Sequence, residues 1–482
     1  MKRALRGTGS NLAEDDRGND YDGGLDLKYG ITPRMTLDLT YRTDFSQVEV
    51  DQEQINLTRF SLFFPERRDF FLENSGTFTF GDLRGMSGDP RTGASLRDFS
   101  LLHSRQIGLR ARNPVPMEFG GRLTGGVGPY EIGLLNVQTG TFDGAPAENF
   151  SVVRMRRKLL RASDVGFMFG NRQATGDSGG AYNRSFGVDA NVRPLRNLVI
   201  NSYLALTRSS EGDDDEAARL SIGWRDRIWD ASAMFRYFGD NFEPGIGYVR
   251  RVGMRQYYAT FGAHPRPDIP LVMTLNPYVE GHYITNLDGL LETRTGEIGL
   301  GATLMDGSRL NLQFTDNFEH LDNFFRVGSD TVPAGDYSFR EASASYSSSG
   351  GRPLSGSLTL SGGGYYGGTR SSISTGFTWR ADYHLSFELT ATHNALEIQG
   401  NSSNADLFSA RVKYSYSTKL YVRGYVQYND AAGQFITNIR LNYIHAPLSD
   451  LFLVYTERRD TKNGGGVLER LVTAKLTKLF AF

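Results

Sequence analysis

Glu66-Arg67-Arg68-Asp69 sets four consecutive charges between two phenylalanine pairs, Phe63-Phe64 and Phe70-Phe71, with Glu73 following soon after. Carboxylates and guanidiniums this close form charge-assisted hydrogen bonds, and arginine can grip a carboxylate through two parallel N–H bonds. The rings need a dry neighbour and the charges need partners, so the block must fold against a surface that supplies both. Arg59 and Arg105, one on each side in the chain, are candidate members of the same network.

Other chemistry finds little support. Hydrolysis needs a nucleophile or activated water beside an oriented base. The seven histidines are His103, His264, His282, His320, His384, His393 and His445; none has a two-histidine helical zinc spacing or adjoins a Gly-x-Ser-x-Gly elbow. They read as loop or interfacial residues. Asp213-Asp214-Asp215-Glu216 clusters oxygens that calcium could use, but it lacks the spaced ligands and bend glycine of a dedicated loop and reads as a solvated outer loop. Gly362 to Gly368 has no following helix and no Lys-Ser/Thr, so tight turns explain it better than a phosphate cradle. The absence of cysteine excludes disulfides, thiolate metal sites and a cysteine nucleophile. No catalytic residue, cofactor or metal site is expected.

The elements that must position the charged block are strands. Leu420, Val422, Val426 and Tyr428 alternate with Lys419, Tyr421, Arg423 and Gln427; Phe435, Thr437, Ile439, Leu441 and Tyr443 alternate with Gln434, Asn438, Arg440 and Asn442. Phe186, Val188, Ala190 and Val192 oppose Ser185, Asp189, Asn191 and Arg193 in the same way. Such period-two patterning marks a sheet with unlike surroundings on its two faces. The segments run about 10–13 residues, a better match to tilted membrane strands than to the usual globular strand of about 5–6. Val422, Leu441 and Val188 are therefore expected to face lipid, and Gln427 and Asn438 a wet lumen.

Short turns are expected at Thr32 to Arg34, Gly128-Pro129, Pro194 to Asn197, Arg225-Asp226, Asp306 to Ser308, Gly350 to Pro353, Ala381-Asp382 and Pro447 to Asp450. Between them fall longer polar connections at Gly140 to Asn149, Gln173 to Asn183, Ser209 to Ala217, His320 to Gly335, Glu397 to Asn404 and Arg459 to Gly466. Alternating short and long connections, and a final strand Leu471 to Phe482 that ends on an aromatic, are features of outer-membrane barrels. Aromatic residues at 12% suit two interfacial girdles. No apolar run approaches the roughly 18 residues of a spanning helix. The formal charge of −1, with Lys+Arg 53 and Asp+Glu 54 mixed along the chain, gives no reason to expect nucleic acid.

The expected fold is all-β: a large transmembrane antiparallel β-barrel of roughly 22–24 strands with a lumenal or capping segment. The turns imply about 21 strands from Glu118 onward plus a hairpin across Thr32 to Arg34, and an even total requires one more. That strand either preceded residue 24 and was lost or lies degraded in Lys2 to Asn11. Residues 1–23 are expected to be a polar, truncated N-terminal remnant, and 24–482 the barrel, including a plug-like or capping segment at 46–117. Met1 to Leu5 is followed by polar residues where a secretory signal would place an apolar stretch of about 7–15. The expectation is that a signal was removed or that the chain begins inside a longer product.

Asp44-Phe45-Ser46-Gln47-Val48-Glu49, Asn56 to Phe60 and the block Phe63-Phe64-Pro65-Glu66-Arg67-Arg68-Asp69-Phe70-Phe71-Leu72-Glu73 together resemble an outer-membrane barrel family of unknown function. The likeness extends through Ser104 to Gly108, Gly120 to Gly125, Ile132 to Asn136 and Asn241 to Arg251, about the first half of the chain. Members of that family commonly carry an N-terminal family-nine-type carbohydrate-binding domain, which is expected to be missing from this sequence through truncation, and Asp69 stands where proline is frequent. The resemblance implies no catalytic residues.

These readings place the chain in the outer membrane of a Gram-negative cell envelope, with outer-membrane lipid and the barrel assembly machinery as partners. The expected function is porin-like passage or docking of a solute, with an oligosaccharide as the candidate carbohydrate ligand. The alternatives are a barrel-embedded hydrolase acting on envelope glycan or lipid, and a plugged structural or assembly barrel. The expected lumen charge network is Arg59, Glu66, Arg67, Arg68, Asp69, Glu73 and Arg105.

Overall fold

The computed structural model describes residues 2–6, 18–20, 23–42, 53–81, 99–110 and 113–479, less the positions 143–144, 161, 177–179, 329, 448 and 463–464. Phe480 to Phe482, the aromatic ending, and Asp44 to Glu49 lie outside the described residues.

Twenty-five strands form one antiparallel sheet. From Met117–Val127 to Val467–Leu476, twenty-one successive ladder strands each pair with the next, the number implied by the spacing of the turns. The hairpin Leu25–Thr32 and Met35–Tyr41 joins this ladder through its second strand, with Leu37 opposite Leu123. At the other end Val467–Leu476 pairs with Lys2–Arg6, with Val472 opposite Arg3, and Lys2–Arg6 pairs with Gly18–Asp20. The strand missing from the turn count is thus Lys2–Arg6. Asp20 and Leu25 are separated by so few residues that their Cα atoms lie at most about 18 Å apart, which brings the two ends of the ladder together. Gly18–Asp20 and Leu25–Thr32 are the two end strands of this 25-stranded ladder, one pairing with Lys2–Arg6 and the other with Met35–Tyr41.

The two-sided pattern closes this sheet into a membrane wall. Phe167, Val188 and Leu204 lie side by side in register on three neighbouring strands, and Leu220, Phe235, Tyr257 and Tyr283 continue such rows across four more. All face outward and are exposed, Leu204 to 61% and Ile298 to 64%. A continuous exposed apolar surface of this extent is a lipid-facing surface. No described helix is long and apolar enough to cross a membrane.

Connections alternate in length. Excursions at 140–147, 175–181, 239–253 and 322–334 lie at one end of the barrel, and turns such as 33–34, 128–129, 196–197 and 447–448 lie at the other. Residues 264–271 form a longer connection at the short-turn end. The connection at 397–404 was expected to be long but is a two-residue turn, Gln399-Gly400, between Leu385–Ile398 and Asn401–Ser415. Both residues have positive φ, 53° and 78°, which gives a turn twist that matches the strands it joins, so the polar residues flanking it remain in the ladder.

The lumen is unevenly filled. On Met254–Ala263 the inward residues Met254, Gln256, Tyr258 and Thr260 are buried, whereas on Gly368–Arg380 the inward Arg370, Ser372 and Ser374 are only partly covered. Gln427 and Asn438 point inward as expected but are buried rather than wet. Gln427 is bonded to Glu53 and Asn438 to Thr456.

Candidate functional site in the barrel lumen

After Tyr41 the chain leaves the wall and rejoins it at Met117, both at the long-loop end. The described parts of this inserted segment hold one-turn helices, Asp69–Leu72, Ser75–Phe78 and Ser104–Gln106, and two-residue strands, Phe99–Ser100, Leu109–Arg110 and Asn113–Pro114. Helices this short cannot hold themselves together, so side-chain bonds and packing must fix the path.

Glu66 and Arg68 supply the tightest of these bonds. The Glu66 carboxylate accepts the backbone N–H groups of Arg67 and Arg68, both at 2.9 Å, and it accepts Arg68 Nε at 2.8 Å and Nη2 at 2.7 Å. Ser104 Oγ also donates to it, at 2.7 Å. Arg68 in turn donates to the carbonyls of Ile107 and Ser104 at 2.7 and 2.6 Å, and its guanidinium lies 4.3 Å from the Phe71 ring centre. Two stretches nearly forty residues apart are thereby clamped. Burial alone would raise the Glu66 pKa, but Arg68 and Ser104 hold it at about 2. Burial, with Arg105 and Arg68 adding to it against Glu66, lowers His103 to about 4, so this ring is neutral where it packs on Phe63 and Tyr248.

The remaining charged residues divide into separate groups. Glu73 meets the wall residue Arg122 at 3.3 Å and also Lys28; Arg122 bonds Asp38 at 2.7 Å and the carbonyls of Phe70 and Glu73. Arg59 lies elsewhere, bonded to Glu319 and to the His320 carbonyl, each at 3.1 Å. Arg105 stands 5.5 Å from the Phe64 ring centre and reaches the Pro65 carbonyl at 3.5 Å. The Arg67 side chain lines a cavity and lies close enough to Tyr425 to act on it electrostatically. Asp69 is exposed, and its carbonyl accepts the Glu73 N–H.

Sequence reasoning missed a further set of anchors on the wall. Arg154 and Asp189 form a fully buried bidentate pair beneath Phe80, Arg156 donates to the Thr79 carbonyl at 3.1 Å, and Arg219 donates to the Gly81 carbonyl at 3.3 Å. Their signal was present: Arg154 and Arg156 are two apart on a strand whose other buried residues, Phe150 and Val152, are apolar. Gly187 offers a bare patch of backbone, where a Cβ would stand 2.5 Å from Phe80 and 2.6 Å from Leu101. Phe71, Phe78, Phe80, Phe99 and Leu101 join wall residues such as Leu135, Val152 and Tyr203 in one apolar cluster.

Residues 53–60 run as a chord across the long-loop mouth. Glu53 exchanges bonds with Gln427 at 2.8 and 3.0 Å, Tyr365 Oη donates to the Leu57 carbonyl at 2.5 Å, and the Arg250 guanidinium lies 4.8 Å from the Phe60 ring centre. Beneath the chord lies a cavity of about 640 Å³, bounded by Phe63, Phe64, Leu72, Phe78, Leu102 and Arg67 among others. Across the lumen the wall is polar, with Tyr278–Glu297–Gln313, Arg370–Glu341 and Arg411–Glu388 bonded along it.

Of the described histidines, His264 bonds Asp230 and Asn276, His282 bonds Glu280 and Gln256, and His393 bonds Asp406. None of these partners is a hydroxyl nucleophile. No described group of carboxylates and histidines is arranged to hold a metal ion. In the acidic run, Asp215 instead accepts the N–H groups of Glu216 and Asn241, and Asp214 pairs with Arg208.

A closed antiparallel wall with an apolar outer belt, unequal loop ends and an inserted lumenal segment defines the chain as an outer-membrane β-barrel. Its residues 7–95 match the model of a family described as a domain of unknown function, DUF5916. No curated protein matches it. Among solved structures it is similar to the ferric enterobactin receptor PfeA in complex with BCV-L6, at 9% identity and a TM-score of 0.50, over 75% of this chain and 79% of that one. It is also similar to the siderophore receptor PirA from Pseudomonas aeruginosa, at 10% identity and TM-score 0.46, over 75% and 77% of the two chains. The FrpB iron transporter from Neisseria meningitidis follows at 9% and 0.43, over 75% and 79%. At 9% identity the likeness to PfeA is one of fold.

Proposed function

We propose that the protein passes or docks a solute through a half-filled lumen, with residues 46–117 acting as a partial plug. The observation that carries this reading is the unequal covering of the inner wall. The inward face of Met254–Ala263 is buried, with Met254 in the cluster that includes the segment's Phe99, while the sector around Gly368–Arg380 keeps its polar side chains accessible. A barrel that served only as a sealed scaffold would bury both sectors.

The bonded Tyr, Glu, Gln and Arg side chains of the open sector suit a hydroxyl-rich solute. This chemistry and the family resemblance make an oligosaccharide the candidate. Outer-membrane lipid and the assembly machinery are the partners that the apolar belt and strand closure require. Planar-bilayer recordings of the purified barrel test the reading, with and without residues 46–117. The intact barrel should conduct, removal of the segment should raise conductance several-fold, and a maltooligosaccharide should reduce the current of the intact barrel. A barrel that is silent in both forms would favour a structural role.

A further inference from the structure

An aqueous lumen ordinarily has a polar lining, yet the segment presents Phe63, Phe64, Leu72 and Leu102 to the cavity of about 640 Å³ beneath the chord. Leu72 is 43% exposed although it sits inside the barrel. A concave, mostly apolar surface of this size has the dimensions and lining of a small-molecule site, in which a few polar groups set orientation. The polar groups that stand open therefore decide the class of ligand.

Glu66, Arg67 and Arg122 are charged residues of the lining, and none is free. Glu66 is held by Arg68, Ser104 and two backbone N–H groups; Arg122 is held by Asp38, Glu73 and the carbonyls of Phe70 and Glu73; Arg67 is engaged as well. A charged ligand would lose its water here without meeting an uncommitted counter-charge. His103 and Gln54 differ: both line the cavity, and no described group forms a hydrogen bond with either side chain. The His103 ring centre lies 4.9 Å from that of Phe63 and 5.8 Å from that of Tyr248, which are themselves 5.2 Å apart. Burial keeps this imidazole neutral, so it has one N–H to donate and one bare nitrogen to accept. These two open polar groups are uncharged, and the first sits within an aromatic surface.

From this combination we infer that the cavity binds an uncharged aromatic alcohol or phenol, whose ring lies on Phe63, Phe64, Leu72 and Leu102 and whose hydroxyl bonds the His103 imidazole. The inference rests on the passage reading for its access route but not on an oligosaccharide as the solute.

The probe is 4-ethylphenol, titrated calorimetrically at neutral pH into the full-length barrel held in lipid nanodiscs. Ethylbenzene lacks the hydroxyl, and the anion of 4-ethylbenzoic acid replaces it with a charge. The phenol should bind saturably, whereas partition into the lipid does not saturate. Loss of one neutral hydrogen bond should make ethylbenzene about fivefold weaker, and the uncompensated charge should make the anion at least about tenfold weaker. His103→Phe keeps the ring packing and removes both nitrogens; it should reduce the phenol to the affinity of ethylbenzene and leave ethylbenzene unchanged. Gly76→Phe enters the cavity from a wall position where a Cβ meets open space, and it should abolish both. Should either variant fail to assemble, the three ligands compared on the parent barrel still decide. Absence of saturable binding, an anion that binds as tightly as the phenol, or unchanged phenol affinity in His103→Phe overturns the inference. Bilayer recordings separate this outcome from the parent reading. A barrel that conducts but does not bind the phenol keeps the passage role and loses the site; a barrel that binds the phenol but never conducts keeps the site and loses the passage role.

Discussion

Arg68 is the residue on which the segment's position depends most directly. Removing one partner of a desolvated pair leaves the other uncompensated and costs about 3–5 kcal/mol, whereas an exposed pair is worth about 0–1. Arg68→Ala should therefore open the segment to protease cleavage between residues 53 and 110, and Arg340→Ala, which removes an exposed pair with Asp316, should leave cleavage near the parent rate. Acid should have a graded effect on the same readout. Both His103 and Glu66 have folded pKa values below their ordinary ones, so each contributes stability above its ordinary value and loses it as pH falls. His103 is lowered from 6.5 to about 4 and Glu66 from 4.5 to about 2. Pepsin sensitivity of the segment should thus begin to rise below about pH 6.5 and steepen below about pH 4.5. His103→Asn should remove the upper step and Glu66→Gln the lower one; a single step unaffected by both variants would place the acid sensitivity elsewhere.

Strands and the inserted segment obey different rules, and two substitutions separate them. On the wall, Val188→Arg places a charge among exposed apolar neighbours at a cost of about 2–4 kcal/mol near the bilayer midplane. It should lower the yield of heat-modifiable barrel. Ser372→Arg, on the inward face of the open sector, should assemble normally. For the segment, Gly187→Val drives a side chain into the space held by Phe80 and Leu101. The barrel should still form, with its gel mobility unchanged, but the segment should become protease-sensitive, because interlocking at this contact leaves no room for added carbons. Barrel loss in that variant would show that wall and segment fold as one unit.

For the molecule as a whole, closure is the feature most open to test. Val467–Leu476 has Lys2–Arg6 on its second edge. Deleting residues 1–20 should leave that edge unpaired and reduce the heat-modifiable fraction in detergent, since an open strand edge cannot be satisfied in lipid. Restoring residues 1–20 as a separate peptide should not rescue it, because closure would then carry the entropy of association. Full assembly of the truncated chain would mean that the ring closes by another pairing.

Period-two alternation made the wall legible in the sequence. Val188 and Asp189, or Leu441 and Asn442, announce opposite faces because a strand offers only two directions, and lipid accepts only one class of side chain. The turns were almost as plain, and the strand count followed from them. Gln399-Gly400 escaped because a two-residue turn leaves its polar neighbours free to look like loop. The charged block was recognisable as needing buried partners, since Glu66, Arg67, Arg68 and Asp69 adjoin four phenylalanines, but its partners could not be named. Arg68 meets Ser104 and Ile107, Glu73 meets Arg122, and Arg59 meets Glu319, at separations of tens to hundreds of residues. The residues of Arg154–Asp189 follow the same alternation as every other inward position. Only the tertiary structure decided which inward residues are covered and which remain wet, because covering depends on where an irregular segment without periodicity of its own comes to rest inside the wall. Alternation is a local, repeated constraint that each strand carries in its own residues, whereas the docking of residues 53–81 and 99–110 is set by shape and charge across the whole lumen.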